Sequence, residues 1–219
     1  MEEVLAPTRS GPPTVIVDGH AVHSKYDPCS EAERYAAAIP RRGDDEVLLL
    51  VEPALGYLLP PLRRRFPRSR VIALHCSDFY AGRDAAYDDS WHPAHPLDLT
   101  SFLEARIPQG ARCRIIEWRP ALEPYGRAFA DLMITAADFV KREEASRRTA
   151  EAFGRRWVSN ALRNLRWAAQ AATVQAGTAP VVVAAAGPSL ERALPAIRSG
   201  RKGCRSEEHT SELQSPNTI

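Results

Sequence analysis

The stretch from Glu46 to His75, EVLLLVEPALGYLLPPLRRRFPRSRVIALH, contains two short apolar runs on either side of an amphipathic segment. The runs EVLLLV (46–51) and RVIALH (70–75) are rich in Val, Ile and Leu, which predicts two buried β-strands. Between them, residues 54–66 place leucines at helical spacing and predict a helix with two adjacent prolines near its middle. A strand, a helix and a second strand in this order predict a parallel pair joined by a crossover helix.

The flanking sequence extends this alternation in both directions. TVIVD (14–18) predicts an earlier strand, and residues 30–39 predict a helix with Ser30 as its N-terminal cap. RIIEW (114–118) predicts a fourth strand. Strands that alternate with helices indicate a parallel sheet with helices on both faces. We therefore predict a Rossmann-like α/β domain over residues 12–125.

Residues 126–178 are predicted to form a helical connector. From Arg127 to Ala176 the chain has no proline and one glycine, and apolar residues recur at spacings of three and four. The first stripe is Phe129, Leu132, Met133, Ala136, Phe139 and Val140, and the second is Phe153, Trp157, Ala161, Leu165, Ala168 and Ala172. Both stripes are expected to face a hydrophobic core.

A second α/β unit is predicted to begin at residue 179. The run PVVVAAA (180–186) predicts a strand that turns at Gly187 and Pro188 into a helix from Ser189. This is the first βα unit of a second Rossmann-like domain, and residues 179–204 are too few for the further strands that such a domain needs. We expect the domain to be truncated in this chain.

The last segment, RSEEHTSELQSPNTI (205–219), differs abruptly in composition from the sequence before it. Its first eleven residues match one reading frame of a common sequencing adapter. We therefore treat residues 205–219 as an adapter-like, non-native tail and exclude them from the fold prediction. The natural gene is expected to continue beyond this point.

Composition and charge exclude several classes of function. Of the 29 basic residues three are Lys and the rest Arg, but acids are interspersed with them, so no nucleic-acid partner is expected. The four cysteines form no C-x-x-C pair, which argues against a disulfide framework and a structural zinc site. No apolar run approaches the roughly 18 residues of a membrane span, so no membrane partner is expected. The amino-terminal segment lacks the apolar core of a secretory signal, which predicts a cytoplasmic protein.

The turn at Gly187, Pro188 and Ser189 has a clear chemical use. A buried strand brings the chain to the carboxyl edge of a sheet, where Gly187 allows a ligand to approach the backbone closely. Ser189 can cap the following helix, and the free N–H groups of the first helical turn can face an anion. The pattern therefore predicts a phosphate-binding turn, although it lacks both G-x-G-x-x-G and a Walker lysine.

Two segments together resemble a known family. VVVAAAGPSLERALPAIR, preceded by GRRWVSNALRNLRWA, resembles the GPSL strand-turn-helix and the W-x-x-N-x-x-x-N helix of the motility accessory factor (Maf) family. The domain of that family is also called 6-hydroxymethylpterin diphosphokinase MptE-like. The matching residues are Trp157, Asn160, Asn164, Gly187, Pro188, Ser189 and Leu190. Upstream, HSKYDP (23–28) and VEPALGYLLPPLRRRFP (51–67) are similar to the Rossmann-like region that precedes this domain in bacterial members.

The resemblance implies transfer chemistry on nucleotide-activated substrates. Bacterial members are similar to glycosyltransferases that move a nonulosonic acid from a CMP-sugar donor to Ser or Thr of flagellin. Archaeal members are pterin pyrophosphokinases that use ATP with Mg²⁺. By this resemblance Gly187, Pro188, Ser189 and Leu190 would bind the nucleotide, and Asn160 and Asn164 would support that site. The acidic residues that follow GPSL in the family are absent here, so no catalytic residue or metal ligand is assigned and the chain by itself is expected to be inactive. The oligomeric state is not predicted.

Two alternative functions remain consistent with the sequence. Strand, loop, helix, strand and acid follow one another from residue 48 to 78 as in an S-adenosylmethionine-dependent methyltransferase, with Glu52 and Asp78 where α/β sheets place ribose-binding acids. Of the glycine-rich turn only Gly56 remains, which favours a domain with no cofactor or a different one. Alternatively, residues 1–125 could be a non-enzymatic docking module for flagellar or chaperone proteins, which an exposed apolar face on the connector would favour.

Two further groups are weaker candidates. His92 and His95 in WHPAHP could form a metal pair, but each precedes a proline, which favours an extended, solvated loop. Residues 23–27 could offer polar groups to a ligand, but they could equally form a βα loop in which Asp27 and Pro28 begin the next helix. Both are expected to be loops.

Overall fold

The computed structural model describes residues 1–41, 45–83 and 86–168, and beyond them only Pro195 and Ser199. The chain divides into two compact units, Met1–Ala169 and Gln170–Ile219, and the first is described here. The predicted second βα unit, with Gly187, Pro188, Ser189 and Leu190, and the adapter-like tail lie outside the described residues. In chain order the elements are β1 (Glu3–Ala6), β2 (Thr14–Val17), β3 (His20–Ala21), α1 (Pro28–Ala38), β4 (Val47–Val51), α2 (Leu59–Arg65), β5 (Arg70–Leu74), β6 (Asp89–Trp91), α3 (Leu99–Arg106), β7 (Cys113–Glu117) and α4 (Leu122–Ala168).

The predicted parallel sheet is confirmed. Four strands lie in the order β6-β5-β4-β7, and all three neighbouring pairs are parallel. Every residue of β4 is buried, as the apolar run predicts for a central strand with both faces covered. Numbered by chain position, the strand order is third, second, first, fourth, which is the order of a Rossmann half-sheet. The first unit is therefore Rossmann-like α/β.

Helices cover the sheet on both faces. The crossover from β4 to β5 through α2 and the crossover from β6 to β7 through α3 run in opposite directions along the sheet. Because such crossovers are right-handed, α2 and α3 lie on opposite faces. The remaining contacts agree with this arrangement, since α1 packs against α2, whereas α4 packs against α3, β4 and β7.

The strand predicted from TVIVD forms, but the prediction that it belongs to the parallel sheet is wrong. β2 pairs antiparallel with β1 and β3 in a separate three-stranded sheet. The cause is the two-residue turn at Asp18 and Gly19, which have φ values of 47° and 86° and return the chain at once. An Asp-Gly pair with two positive φ values strongly favours a β-hairpin. This local preference explains why the strand is followed by a hairpin and not by a crossover helix.

Two predicted helices begin at other residues than expected. Asp27, not Ser30, caps α1, and its carboxylate accepts the N–H of Ser30 at 3.0 Å. The second helix begins at Leu59 instead of residue 54, so Pro60 and Pro61 fall in its first turn. Proline is tolerated there because the first N–H groups of a helix have no partner inside the helix.

Helix α4 contains the first apolar stripe and the second as far as Ala168, with a break in its helical backbone at Gly126, where φ is 45°. Ala172, the last residue of the second stripe, lies outside the described residues. Within the first stripe Phe129, Ala136 and Phe139 are buried, which confirms the predicted core face. The second stripe was expected to be buried as well, but Phe153 and Trp157 are about half exposed at 47% and 54%. None of the described helices has the length and apolar character that a membrane crossing needs.

Candidate functional site

The carboxyl edge of the parallel sheet carries a polar or aromatic residue directly after each strand. Glu52 follows β4, His75 follows β5, His92 follows β6 and Trp118 follows β7. In open parallel sheets ligands bind along this edge, particularly where the strand order reverses. Here the strand order reverses between β4 and β7, so a cofactor would be expected at the loop after β4.

The loop from Glu52 to Gly56 holds two residues other than glycine in a conformation that glycine adopts most readily. Glu52, Ala54 and Gly56 have φ values of 47°, 51° and 77°, all in the left-handed region. Glu52 and Ala54 have the spacing of the first two glycines of G-x-G-x-x-G, which allow the chain to turn close to a ligand. The left-handed conformation costs a residue with a Cβ about 1–2 kcal/mol, so the backbone is strained at Glu52 and Ala54.

The side chain of Glu52 stabilises this strained loop through hydrogen bonds. This side chain is fully buried, and its two carboxylate oxygens accept the N–H groups of Ala54 at 3.1 Å and Cys76 at 2.5 Å. A ring nitrogen of His75 lies 3.4 Å from Oε1. A buried carboxylate needs such partners to offset its desolvation. Backbone N–H groups that could bind a ligand anion at this edge are therefore occupied by the protein's own carboxylate.

A chain of hydroxyl groups continues from this cluster to the first strand. The Tyr80 ring stacks on His75 with 4.8 Å between centroids, and the Tyr80 and Tyr125 hydroxyls are 2.7 Å apart. Tyr125 donates to Glu3 at 2.8 Å, and Ser77 donates to the other Glu3 oxygen at 2.5 Å. Burial, with the nearby charge of Glu52, raises the pKa of both tyrosines far above its usual range. Both phenols therefore stay protonated as hydrogen-bond donors.

The only cysteine in this cluster, Cys76, is not a nucleophile. Burial raises the pKa of its thiol far above the usual range, and the charge of Glu52 acts in the same direction. Because the thiolate is the reactive species, a thiol held protonated is inert. Among the residues that the structure describes, no three His, Cys, Asp or Glu side chains are grouped so that they could hold a metal ion.

Aromatic side chains fill the reversal point between β4 and β7. Trp118 is almost fully buried and donates its indole N–H to the Val22 carbonyl at 2.8 Å. His23 is 2% exposed, accepts the N–H of Leu55 at 3.2 Å through Nε2, and packs against the rings of Trp118 and Tyr57. Burial lowers the pKa of His23 to about 3, so its imidazole is neutral at pH 7. The place of a cofactor in a Rossmann half-sheet is thus occupied by the loop after β3.

Most of the weaker candidates are structural. Asp27 caps α1, as the loop interpretation of residues 23–27 predicts, while His23 enters the core. Asp78 accepts from the ring of His92 at 2.8 Å and from the N–H of Ala94 at 2.7 Å, and these bonds lower its pKa. Asp78 and Glu52, the two acids at the positions of ribose-binding residues, therefore both form hydrogen bonds within the protein itself.

The supporting residues Asn160 and Asn164 lie one turn apart on α4. Asn160 is half-buried and Asn164 is exposed, and Trp157 on the preceding turn is also exposed. The structure does not bring them to the Glu52 cluster. Their proposed partners Gly187, Pro188, Ser189 and Leu190 are outside the described residues.

A cavity of about 400 Å³ opens beside the Glu52 cluster. The ends of β5 and β6 contribute His75, Cys76 and Trp91, while α3 and α4 contribute Asp98 and Asp131 among others. We refer to it as the β5–β6 cavity. The sequence does not predict this cavity, because strand β6 is three residues long and lies in a polar segment.

Tyr80, Tyr125 and Glu3 were also missed as members of the site. Glu3 and Tyr125 are 122 residues apart in the chain, so no spacing pattern could connect them. Comparison with protein-family models, with curated proteins and with solved structures gives no match to this chain. Function is therefore argued from the residues and their geometry.

Proposed function

We propose that this chain is the amino-terminal part of a Maf-like transferase. The complete enzyme would transfer a nonulosonic acid from a CMP-sugar donor to Ser or Thr of flagellin. Gly187, Pro188, Ser189 and Leu190 would bind the donor phosphate, supported by Asn160 and Asn164. The support is the order and spacing of the motifs along the sequence, together with a Rossmann-like first unit followed by a long helix.

One observation in the first unit indicates that this unit does not bind the nucleotide. The carboxylate of Glu52 occupies the backbone N–H groups of Ala54 and Cys76 at the carboxyl edge of the sheet. A nucleotide phosphate at this position would meet a buried group of the same charge, which is unfavourable. We therefore assign nucleotide binding to the GPSL turn, and an accessory role without nucleotide to the first unit.

The proposal is tested by titrating the isotopically labelled full chain with CMP while amide NMR signals are recorded. We expect saturable shifts at residues 187–190 and none at Ala54 and Cys76. Saturable shifts at Ala54 and Cys76 would contradict the division of roles. If CMP perturbs neither region, the GPSL turn does not bind the nucleotide without the further strands of its domain. The same result for a chain extended beyond Cys204 would refute the transferase assignment.

A paired variant makes this test specific. Replacing Gly187 and Ser189 together by Ala removes both the close backbone approach and the hydroxyl. We expect CMP binding to be lost, whereas Ser199→Ala, ten residues further along, leaves it unchanged. Equal binding of CMP by the double variant and the parent chain would refute the assigned turn.

The pyrophosphokinase alternative is separated in the same titration. A pterin pyrophosphokinase-like site would prefer ATP with Mg²⁺ to CMP, and a helix N-terminus suits the phosphates of either nucleotide. S-adenosylmethionine is the third probe, because a methyltransferase-like loop would bind it at Gly56. An added Cβ at Gly56 would lie 2.9 Å from the Tyr87 hydroxyl, so this glycine has a packing reason as well.

A docking role is the second candidate, and a specific observation favours it. The distal part of α4 exposes Phe153, Trp157, Val158, Leu162 and Leu165. Phe153 and Trp157 are neighbours, with 6.2 Å between their ring centroids, and adjoining exposed apolar side chains are typical of a surface that binds a partner. Saturable binding of CMP favours transfer, whereas binding of a flagellar or chaperone protein that is lost in Trp157→Ser favours docking.

Sequencing the source DNA across the codon of Cys204 tests the predicted continuation independently. We expect the reading frame to encode further strands and acidic residues in place of RSEEHTSELQS. A genuine stop after the tail would favour the docking protein over the transferase.

A further inference from the structure

The β5–β6 cavity lies where open parallel sheets bind ligands. His75 and Cys76 come directly after β5, and Trp91 is the last residue of β6. Helix α4 closes the opposite side with Ala128 and Leu132. The volume of about 400 Å³ falls in the range of small-molecule sites. Both the position and the size therefore suit a small organic ligand.

The walls of the β5–β6 cavity are mainly apolar. Leu99 and Leu132 are buried core residues that reach the cavity, and Trp91 adds an aromatic ring. The indole N–H of Trp91 donates to the Leu97 carbonyl at 2.9 Å, which fixes the orientation of the ring. Such walls bind an apolar body, and an aromatic ring adds attraction for a cation.

Apart from two histidines, the ionisable groups of the β5–β6 cavity wall that are charged at pH 7 are carboxylates. Asp98 and Asp131 line the cavity beside His75 and His95, and among the described lining residues there is no Lys or Arg, although the chain has 29 Lys and Arg residues in all. The N–H and hydroxyl of Ser101 donate to Asp98 at 3.0 and 2.6 Å and lower the pKa of its carboxyl group, which stays ionised. The lining thus presents negative charge beside an apolar wall.

Among the described residues Asp131 has a weak intramolecular partner. Its carboxylate lies 3.6 Å from the guanidinium of Arg127, whose side chain is 93% exposed. Ion pairs this exposed contribute little, because water screens them and long side chains lose entropy. The Asp131 side chain is itself 65% exposed, so its carboxylate is open to a ligand at the edge of the cavity.

We propose that the β5–β6 cavity binds a small organic cation, an amine or guanidinium attached to an apolar body. The cation interacts with Asp98 and Asp131, and the apolar body contacts Trp91 and Leu132. Because a nucleotide phosphate would face two carboxylates here, this site is separate from the proposed CMP site and does not depend on it.

Two probes of matched size and opposite charge test the charge preference. Phenethylammonium and 3-phenylpropionate are titrated separately into the labelled full chain, and amide shifts are followed by NMR. We expect saturable shifts from the cation at Cys76, Trp91 and Leu132, and none from the anion. Equal binding of both probes, or no saturable shift from the cation, would overturn the proposal.

Three variants test the location. Asp131→Asn should weaken binding of the cation about threefold, which corresponds to about 0.7 kcal/mol. Asp138→Asn changes a carboxylate on the same helix outside the cavity and should leave binding unchanged. Ala128→Leu fills the cavity from a partly exposed position and should abolish binding, while unchanged β4 amide signals show that the fold persists. Binding that survives Ala128→Leu, or that is insensitive to Asp131→Asn, would place the cation elsewhere.

Discussion

The two halves of α4 share a sequence pattern and differ in their surroundings. In the proximal half Phe129, Leu132 and Phe139 are 2%, 7% and 1% exposed. In the distal half Phe153, Trp157 and Leu165, at the same helical spacing, are 47%, 54% and 64% exposed. Periodicity specifies a helix with one apolar face, but burial requires a neighbouring element to cover that face. The proximal half has the parallel sheet and α3 as neighbours.

Local interactions support the distal half. Arg147 pairs with Glu151 at 2.7 Å and Arg148 pairs with Glu144 at 2.5 Å, each across one helical turn. Such pairs contribute about 0.3–0.5 kcal/mol each. The two halves are therefore expected to respond very differently to substitution, and the following experiments measure that difference.

The largest contrast is expected from truncating one aromatic residue in each half. Phe129→Ala should lower the free energy of unfolding of the first unit by about 3–5 kcal/mol, because it leaves a cavity in the core. Phe153→Ala should change it by less than about 1 kcal/mol, since a half-exposed side chain loses little burial. Urea unfolding followed by circular dichroism measures both. Similar losses would mean that the distal face is covered in solution.

The buried core should also be sensitive to acid through His23. The pKa of His23 falls from 6.5 to about 3 on folding, so the folded state binds fewer protons. Stability is therefore unaffected above pH 6.5 and falls by up to about 1.4 kcal/mol per pH unit between pH 6.5 and 3. His23→Gln, which keeps an acceptor for Leu55, should flatten this dependence in urea unfolding between pH 7 and 4. The exposed His20→Gln is the control, and an equal effect of both variants would contradict the buried neutral imidazole.

A smaller, stabilising effect is expected in the loop after β4. Ala54 has a φ of 51°, which glycine adopts without a Cβ clash. Ala54→Gly should raise the free energy of unfolding by at most about 0.5 kcal/mol, because relief of strain is opposed by the entropy lost by glycine and by the loss of a methyl group that is 2% exposed. Thermal and urea unfolding provide the measurement. A destabilised variant would mean that the loop is not strained at this position.

The smallest effect is expected from polar substitution on the distal half of α4. Leu165→Ser replaces a side chain that is 64% exposed and should change unfolding by no more than about 0.5 kcal/mol. Hydrogen exchange should be faster at distal than at proximal amides, because the distal turns have fewer buried contacts. Protection of the distal amides equal to that near Phe139 would remove the distinction between the halves.

Elements that depend on local pattern were predicted best. The runs that became β4 and β5 were identified because buried parallel strands read as continuous apolar sequence. The strand β2 is predicted in the wrong sheet and its hairpin with β3 is not predicted, although the Asp-Gly turn is visible in the sequence. Asp27 and Ser30 are both typical capping residues and lie three positions apart, so only backbone geometry shows that Asp27 is the cap.

The candidate site depended on contacts that no local pattern encodes. Glu52 was recognised at a cofactor position, but its two backbone partners come from different loops. The Glu3 and Tyr125 contact and the β5–β6 cavity arise only when distant elements meet. Such groups cannot be paired from spacing, because the sequence separation of contacting residues is unconstrained once the chain folds.

By itself, the sequence determined the Rossmann-like α/β class, the central strands and the helical periodicity of α4, because apolar spacing and turn residues act locally. The tertiary structure decided that a carboxylate occupies the loop after β4, that His23 and Trp118 fill the reversal point, and that the described elements of the first unit cover the proximal half of α4. These outcomes depend on which surfaces meet and which polar groups they satisfy, and those are properties of the folded chain.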